Sequence, residues 1–125
     1  MKVSELMKKA IVVEENISLR NAAKIMSEKA IGSLIVIKNE RIAGIITERD
    51  ILKNIDKLGS KLSQIMSKNV ITISPKQSVD EAASTMAENK IKRLPVVEHN
   101  EILGIITATD ILAHSDALNE DFMVE

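Results

Sequence analysis

The chain of 125 residues is short enough to form one domain and long enough to bury a core. Its 17 Lys and Arg balance 18 Asp and Glu, which argues against bulk electrostatic attraction to nucleic acid or to an acidic membrane face. There is no cysteine, which excludes disulfides and thiolate chemistry, and no apolar run approaches the ~20 residues that span a bilayer, so a cytoplasmic protein is expected.

The first half of the chain predicts a β-α-β-β-α order of elements. Apolar residues recur at i, i+3, i+4 and i+7 after Ser18, which is typical of a capped amphipathic helix. Two continuous apolar runs on either side of a polar turn then predict buried strands joined in a hairpin. The predicted elements are a helical turn capped by Ser4, a strand at 10–13, the helix from 19, strands at 33–37 and 42–46, and a helix at 49–55.

The second half repeats this order, because residues 78–114 align without a gap with residues 18–54. We therefore expect an α/β fold with mixed sheets, built from two pseudo-symmetric repeats over 1–58 and 59–125 and packed as one module. The tail from about residue 116 is acidic and expected to fray. The predicted elements are a helical turn capped by Ser63, a strand at 70–73, a helix from 79 with a Ser78–Glu81 capping box, strands at 94–97 and 102–106, and a helix at 109–115.

The step G-I-I-T-x-x-D occurs at 44–50 and again at 104–110, directly after the last predicted strand of each half. Thr followed three residues later by Asp is a capping box, and this pattern alone favours plain capping. The same helix start can also bind a phosphate, and a fixed carboxylate can accept hydrogen bonds from a ribose diol. Gly44 and Gly104 lie inside predicted strands, where either a close backbone approach or a bulge would explain them.

Two tandem β-α-β-β-α copies that each end in this step, with KRLPVV ahead of the second, closely resemble a CBS-domain pair, the Bateman module. The resemblance covers nearly the whole chain. It implies two symmetric clefts between the halves that bind adenosine-containing ligands: AMP, ADP, ATP, S-adenosylmethionine or NAD-type molecules. It also implies a module that regulates a partner and seldom catalyses.

The resemblance implies which residues hold each part of such a ligand. Asp50 and Asp110 would accept ribose hydroxyls, Lys92 and Arg93 would meet phosphate, and aliphatic side chains would hold the base. The nucleotide-binding candidates are Ile11, Ile31, Gly32, Lys92, Arg93, Thr107, Thr109 and Asp110 for the first-choice site, and Val70, Ile91, Thr47, Arg49 and Asp50 for the second.

The two steps differ in charge. Lys92 and Arg93 precede the second step, whereas Gly32 and Ser33 stand at the matching positions of the first half. Arg49 could supply a cation to the first step. We therefore expect the second step to be the better nucleotide site, although a basic pair taken by itself is equally typical of a solvated surface.

The function expected from the sequence is a stand-alone regulatory module that senses an adenosyl ligand, requires no cofactor and signals to an unknown protein effector. A homodimer through the second helices, 48–55 and 108–115, is also expected from the resemblance. The alternative is a ligand-free interaction and dimerisation platform.

No enzyme is expected, because no base, nucleophile or metal set converges, and His99 and His114 lack the spacing of a metal site. Nucleic acid and membranes are not expected partners.

Overall fold

A computed structural model describes the backbone of residues 1–123 and the side chains of residues 1–115. The chain divides into two compact units. The Asp50 unit comprises Ala10–Val70, and the Asp110 unit comprises Met1–Lys9 together with Ile71–Glu125. The first nine residues therefore fold with the second sequence repeat, and the segment after residue 58 folds with the first.

The Asp50 unit contains a three-stranded mixed sheet. Strand β1 (Val12–Glu14) pairs in parallel with β2 (Ser33–Lys38), and β2 pairs antiparallel with β3 (Arg41–Thr47). This confirms the predicted crossover followed by a hairpin. A core of Leu, Ile, Val, Met and Ala side chains fills this unit. Its elements are β1 (Val12–Glu14), α2 (Leu19–Lys29), β2 (Ser33–Lys38), β3 (Arg41–Thr47), α3 (Glu48–Lys53) and two 3-10 turns, Ile55–Lys57 and Leu62–Gln64.

The Asp110 unit has the same hairpin, but its first predicted strand is reduced. The strand expected at 70–73 is wrong in extent, because only Ile73 forms an isolated parallel bridge, to Val96. In the Asp50 unit, Ile35 N–H donates to the Ile11 carbonyl at 3.0 Å. Pro95 stands at the position that matches Ile35 and has no N–H to donate. The elements are α1 (Val3–Leu6), α4 (Val79–Asn89), β4 (Arg93–Glu98), β5 (Glu101–Thr107) and α5 (Ala108–Met123).

The helix caps agree with the sequence only in part. Ser18 and Ser78 cap α2 and α4 as predicted, with Oγ accepting N–H groups at 3.1 and 3.0 Å. The predicted Ser78–Glu81 capping box is present only in its Ser78 half. The Glu81 carboxylate instead accepts a hydrogen bond from the Gln77 side chain at 2.9 Å. The caps predicted at Ser4 and Ser63 are wrong, because these helical turns begin two residues sooner. Their N-caps are Lys2 rather than Ser4, and Lys61 rather than Ser63.

Both hairpins close through two-residue turns with positive φ. Asn39 and Glu40 have φ of 52° and 65°, and His99 and Asn100 have φ of 51° and 64°. Positive φ at both central residues is the geometry that matches the twist of antiparallel strands. The last helix continues through Met123, past Asp116, where the sequence predicted a frayed tail. The end of that tail, 124–125, lies outside the described residues.

Candidate functional site

The first G-I-I-T-x-x-D step, at 44–50 and called the Asp50 step, forms a reciprocal cap at the start of α3. The Thr47 N–H and hydroxyl both donate to Asp50 Oδ2, at 2.9 and 3.1 Å. The Asp50 N–H donates back to Thr47 Oγ1 at 3.4 Å. The predicted capping role is therefore confirmed here. These contacts fix the carboxylate at the end of β3, and the two bonds that it accepts both use Oδ2.

The Asp110 step repeats this arrangement at the start of α5. Thr107 Oγ1 donates to Asp110 Oδ2 at 2.8 Å, and the Asp110 N–H donates to Thr107 Oγ1 at 3.2 Å. Both carboxylates are half-buried. A carboxylate offers about four acceptor positions on its two oxygens, so the contacts at Oδ2 leave capacity for further donors. Capping and ligand binding are therefore compatible roles for the same side chain.

The glycine in each step admits a close approach by the chain's own backbone. A Cβ at Gly104 would lie 2.6 Å from the Lys8 carbonyl oxygen, and a Cβ at Gly44 would lie 2.8 Å from the Ser67 carbonyl oxygen. The strand register also shifts opposite each glycine. The sequence left two explanations for these glycines, a close backbone approach and a bulge, and both are present. The approaching backbone belongs to a neighbouring segment of the same unit.

This approach places Lys8 beside the Asp110 step. Lys8 and Ile105 exchange two backbone hydrogen bonds of 2.9 Å across the edge of β5. From that position Lys8 Nζ reaches Asp110 Oδ2 at 3.3 Å. The sequence interpretation missed this residue, although the repeat carries a signal: Lys8 matches Ser67, which pairs with Ile45 in the same way in the Asp50 unit.

The predicted basic pair also lies next to the Asp110 step. Arg93 is the strand partner of Thr107, and the Ala108 N–H donates to the Lys92 carbonyl at 2.8 Å. The Lys92 side chain is exposed and Arg93 is half-buried. Thr109, another candidate for the first-choice site, is exposed.

The matching positions of the Asp50 unit carry different groups. Ser33 is the strand partner of Thr47, and the Glu48 N–H donates to the Gly32 carbonyl at 3.2 Å. Arg49 is exposed beside them. The Lys8 ammonium contacts the Asp110 carboxylate, and Lys92 and Arg93 adjoin this step along the backbone. At the Asp50 step the charged neighbours in sequence are Glu48 and Arg49.

The aliphatic candidates are distributed between the units. Ile11 and Ile31 are partly buried against the core of the Asp50 unit, and Ile91 is partly buried against the core of the Asp110 unit. Val70 is half-buried, and the residue that packs against the Asp110 core at this point of the chain is Ile71.

An open groove of about 610 Å³ lies on the Asp50 unit, along α2 and α3. Neither Thr47 nor Asp50 lines this groove. Leu52, at its edge, is 73% exposed, and Leu112 at the matching position of α5 is 62% exposed. The groove is lined by Ala23, Met26, Ser27, Ala30, Ile31, Glu48, Ile51 and Leu52.

The described part of the chain lacks a group of potential metal ligands and a helix that could cross a membrane. Among these residues, no three His, Cys, Asp or Glu side chains group closely enough to hold a metal ion. Within the same range, no helix combines the length and the apolar character needed to cross a bilayer.

Three known proteins illustrate what the chain is similar to. The crystal structure of the CBS domain pair of protein MJ0100, in complex with 5′-methylthioadenosine and S-adenosyl-L-methionine, superposes with a TM-score of 0.88 at 32% identity, over 94% of this chain and 97% of that one. The uncharacterized protein MJ1232 of Methanocaldococcus jannaschii is 38% identical over 106 residues, 84% of this chain and 36% of that protein. Homoserine O-acetyltransferase of Methanosalsum zhilinae is 40% identical over 112 residues, 87% of this chain and 23% of the enzyme.

These two sequence relatives are much longer than the segment they share with this chain, which spans 36% of one and 23% of the other. The acetyltransferase name therefore describes a protein most of which lies outside the similarity. The family model for the CBS domain matches this chain twice, at residues 3–57 and 62–117. The chain therefore belongs to the CBS-domain family, as a tandem pair of CBS domains.

Proposed function

We propose that the chain is a regulatory module that binds adenosine-containing ligands at its Thr-x-x-Asp steps and transmits binding to a protein effector. The observation that carries the proposal is the fixed carboxylate in each unit. Thr47 and Thr107 hold Asp50 and Asp110 through Oδ2 at a helix start. A carboxylate held in this way is suited to accept the two hydroxyls of a ribose.

The adenosyl class is supported by the MJ0100 domain pair, whose structure contains 5′-methylthioadenosine and S-adenosyl-L-methionine. The proposed ligands are AMP, ADP, ATP, S-adenosylmethionine or an NAD-type molecule, bound reversibly and without a required cofactor. The module has a regulatory rather than a catalytic role in this proposal. Its compartment is the cytoplasm, where such nucleotides are available.

Regulation requires that the ligand distinguish two states of the protein. A ligand shifts a conformational equilibrium only by the difference between its affinities for the two states. We therefore propose that an effector protein binds one ligand-dependent state preferentially, and that differential binding of the effector is the regulatory output.

A thermal-shift screen tests the binding proposal. AMP, ADP, ATP, S-adenosylmethionine, 5′-methylthioadenosine and NADH would each be added to the wild-type chain and to the Asp50→Ala, Asp110→Ala double variant. A ligand at 100 times its Kd adds about 2.7 kcal/mol of stability to the wild type. The double variant should lose that increment. Absence of any shift with all six compounds would contradict ligand binding.

The second candidate function is an interaction platform, and one observation favours it. Leu52 and Leu112 occupy matching positions on α3 and α5 and are 73% and 62% exposed. Exposed apolar side chains at repeated positions are typical of an interface. We propose that these helices form a homodimer contact, as expected from the sequence. Sedimentation should show a dimer that Leu52→Lys with Leu112→Lys dissociates, and a wild-type monomer at micromolar concentration would contradict the contact.

A further inference from the structure

We propose that Lys8 exchanges its ion pair with Asp110 for the phosphate of a bound ligand, so that the Asp110 unit selects phosphate-bearing adenosyl ligands over neutral or cationic ones. This inference rests on the proposed function and identifies the ligand class of one of its two sites. Lys8 is a specificity-determining residue in this account.

The backbone of Lys8 is fixed while its side chain is exchangeable. Two hydrogen bonds of 2.9 Å pair Lys8 with Ile105, and the absence of a Cβ at Gly104 admits that pairing. The Nζ lies 3.3 Å from Asp110 Oδ2, with side-chain exposures of 54% for Lys8 and 27% for Asp110. An ion pair this exposed is weak, because water screens it and competes for both groups. The ammonium group can therefore leave the carboxylate without moving the strand.

A ribose diol that donates to both oxygens of Asp110 displaces Lys8, because Oδ2 already accepts from the Thr107 hydroxyl and contacts the Lys8 ammonium. If the ligand is neutral, the ammonium loses its counter-ion and nothing replaces it. A ligand that carries a phosphate restores a charge-assisted hydrogen bond to Lys8 while its ribose occupies Asp110. Lys92, whose exposed side chain lies next to the same step, adds a further positive charge there.

The Asp50 unit provides the internal contrast. Ser67 stands where Lys8 stands, and it makes the same pair of backbone bonds, to Ile45 at 3.0 and 3.2 Å. Its hydroxyl is neutral, and Glu48 adds a negative charge to this step. The exchange therefore has no counterpart at Asp50, and we expect little selection for phosphate there.

The test measures the Kd values of AMP and 5′-methylthioadenosine by calorimetry in an Asp50→Ala background, which confines binding to the Asp110 step. In that background AMP should bind at least about tenfold more tightly than the neutral compound, as expected for one charge-assisted hydrogen bond. Lys8→Ser, which copies Ser67, should reduce this preference about tenfold by weakening AMP alone. Lys8→Arg should retain most of the preference, because it keeps the charge.

Lys9→Ser is the matched control, because Lys9 is an exposed neighbour whose repeat counterpart, Lys68, is also lysine. It should leave the AMP preference within about twofold, since a solvated charge contributes little. Equal weakening of both ligands by Lys8→Ser, with Lys8→Arg equally impaired, would overturn the inference and assign Lys8 a structural role. An unchanged preference in Lys8→Ser would also overturn it while the proposed function stands. Failure of the wild type to bind any adenosyl ligand would refute the proposed function itself.

Discussion

The Asp50 and Asp110 steps share a backbone arrangement and differ in charge. In both units a strand glycine admits a neighbouring segment, a threonine caps a helix, and an aspartate is held by that threonine. Lys8 contacts Asp110, whereas Ser67 takes its place in the Asp50 unit. Both units therefore hold an aspartate carboxylate in the same position. The side chains around each carboxylate differ, so the local charge differs between the two units.

The two sheets differ in a second way that depends on two prolines. The Ile35 N–H joins β1 to the sheet of the Asp50 unit, whereas Pro95 removes that donor from the Asp110 unit and leaves a bridge at Ile73. The first strand of a repeat is thus held by few hydrogen bonds. Pro75 stands at the position that matches Glu15, whose N–H donates to the Ile37 carbonyl at 3.1 Å, so the Asp110 unit lacks this second donor as well.

The largest expected effect on stability comes from making the first sheet resemble the second. Ile35→Pro removes the bond to the Ile11 carbonyl and replaces a side chain that is fully buried. We expect a loss of about 3 kcal/mol in the free energy of unfolding. Chemical denaturation measures the loss, and hydrogen exchange should show faster exchange in β1.

Ile35→Val is the control for this substitution. It keeps the N–H and most of the side chain, and should cost about 1 kcal/mol. If the proline and valine variants were equally stable, the missing donor would not explain the shorter strand in the Asp110 unit.

A somewhat smaller effect is expected when either close approach is obstructed. Gly104→Ala places a methyl group 2.6 Å from the Lys8 carbonyl oxygen, and Gly44→Ala meets the Met66 side chain and the Ser67 carbonyl. Each should destabilise the protein by about 1–3 kcal/mol, the usual range for overpacking. Gly44→Ala should fall in the same range, because its methyl group also meets the Ser67 carbonyl oxygen at 2.8 Å.

Gly59→Ala is the matched control, since nothing lies within 4 Å of a Cβ there. It should be neutral or stabilising by up to about 1 kcal/mol. Thermal and urea unfolding of the three variants compare them directly. A Gly104→Ala protein as stable as Gly59→Ala would show that the Lys8 segment does not require the glycine.

The smallest expected effect concerns the caps. Thr47→Ala and Thr107→Ala each remove the hydroxyl that receives the Asp N–H, and each should cost about 1 kcal/mol. Thr→Ser at the same positions retains the hydroxyl and should cost less. Equal losses in the alanine and serine variants, measured by urea unfolding, would argue that the threonine methyl rather than the cap is responsible.

The repeat, the mixed sheet and the two caps were predictable because they depend on local patterns. Apolar periodicity fixes the strands and helices, and Thr-x-x-Asp fixes the helix starts whether or not a ligand binds. Lys92 and Arg93 lie at the start of the partner strand, next to the step, and their contact with phosphate stays a prediction.

Other features depend on contacts that the sequence does not display. The caps at Ser4 and Ser63 were wrong because the helical turns begin two residues earlier, at the buried Val3 and Leu62. The strand at 70–73 was overestimated because Pro95 in the adjacent strand and Pro75 after Ile73 both lack an N–H to donate. Lys8 was missed because its partner is about 100 residues away in the chain, and a long-range ion pair has no local pattern.

The most direct test of the difference between the steps is calorimetric titration of AMP into the Asp50→Ala and Asp110→Ala proteins. With Lys8, Lys92 and Arg93 beside Asp110, the account predicts that Asp110→Ala loses more affinity, by about tenfold or more relative to Asp50→Ala. A larger loss from Asp50→Ala would contradict it.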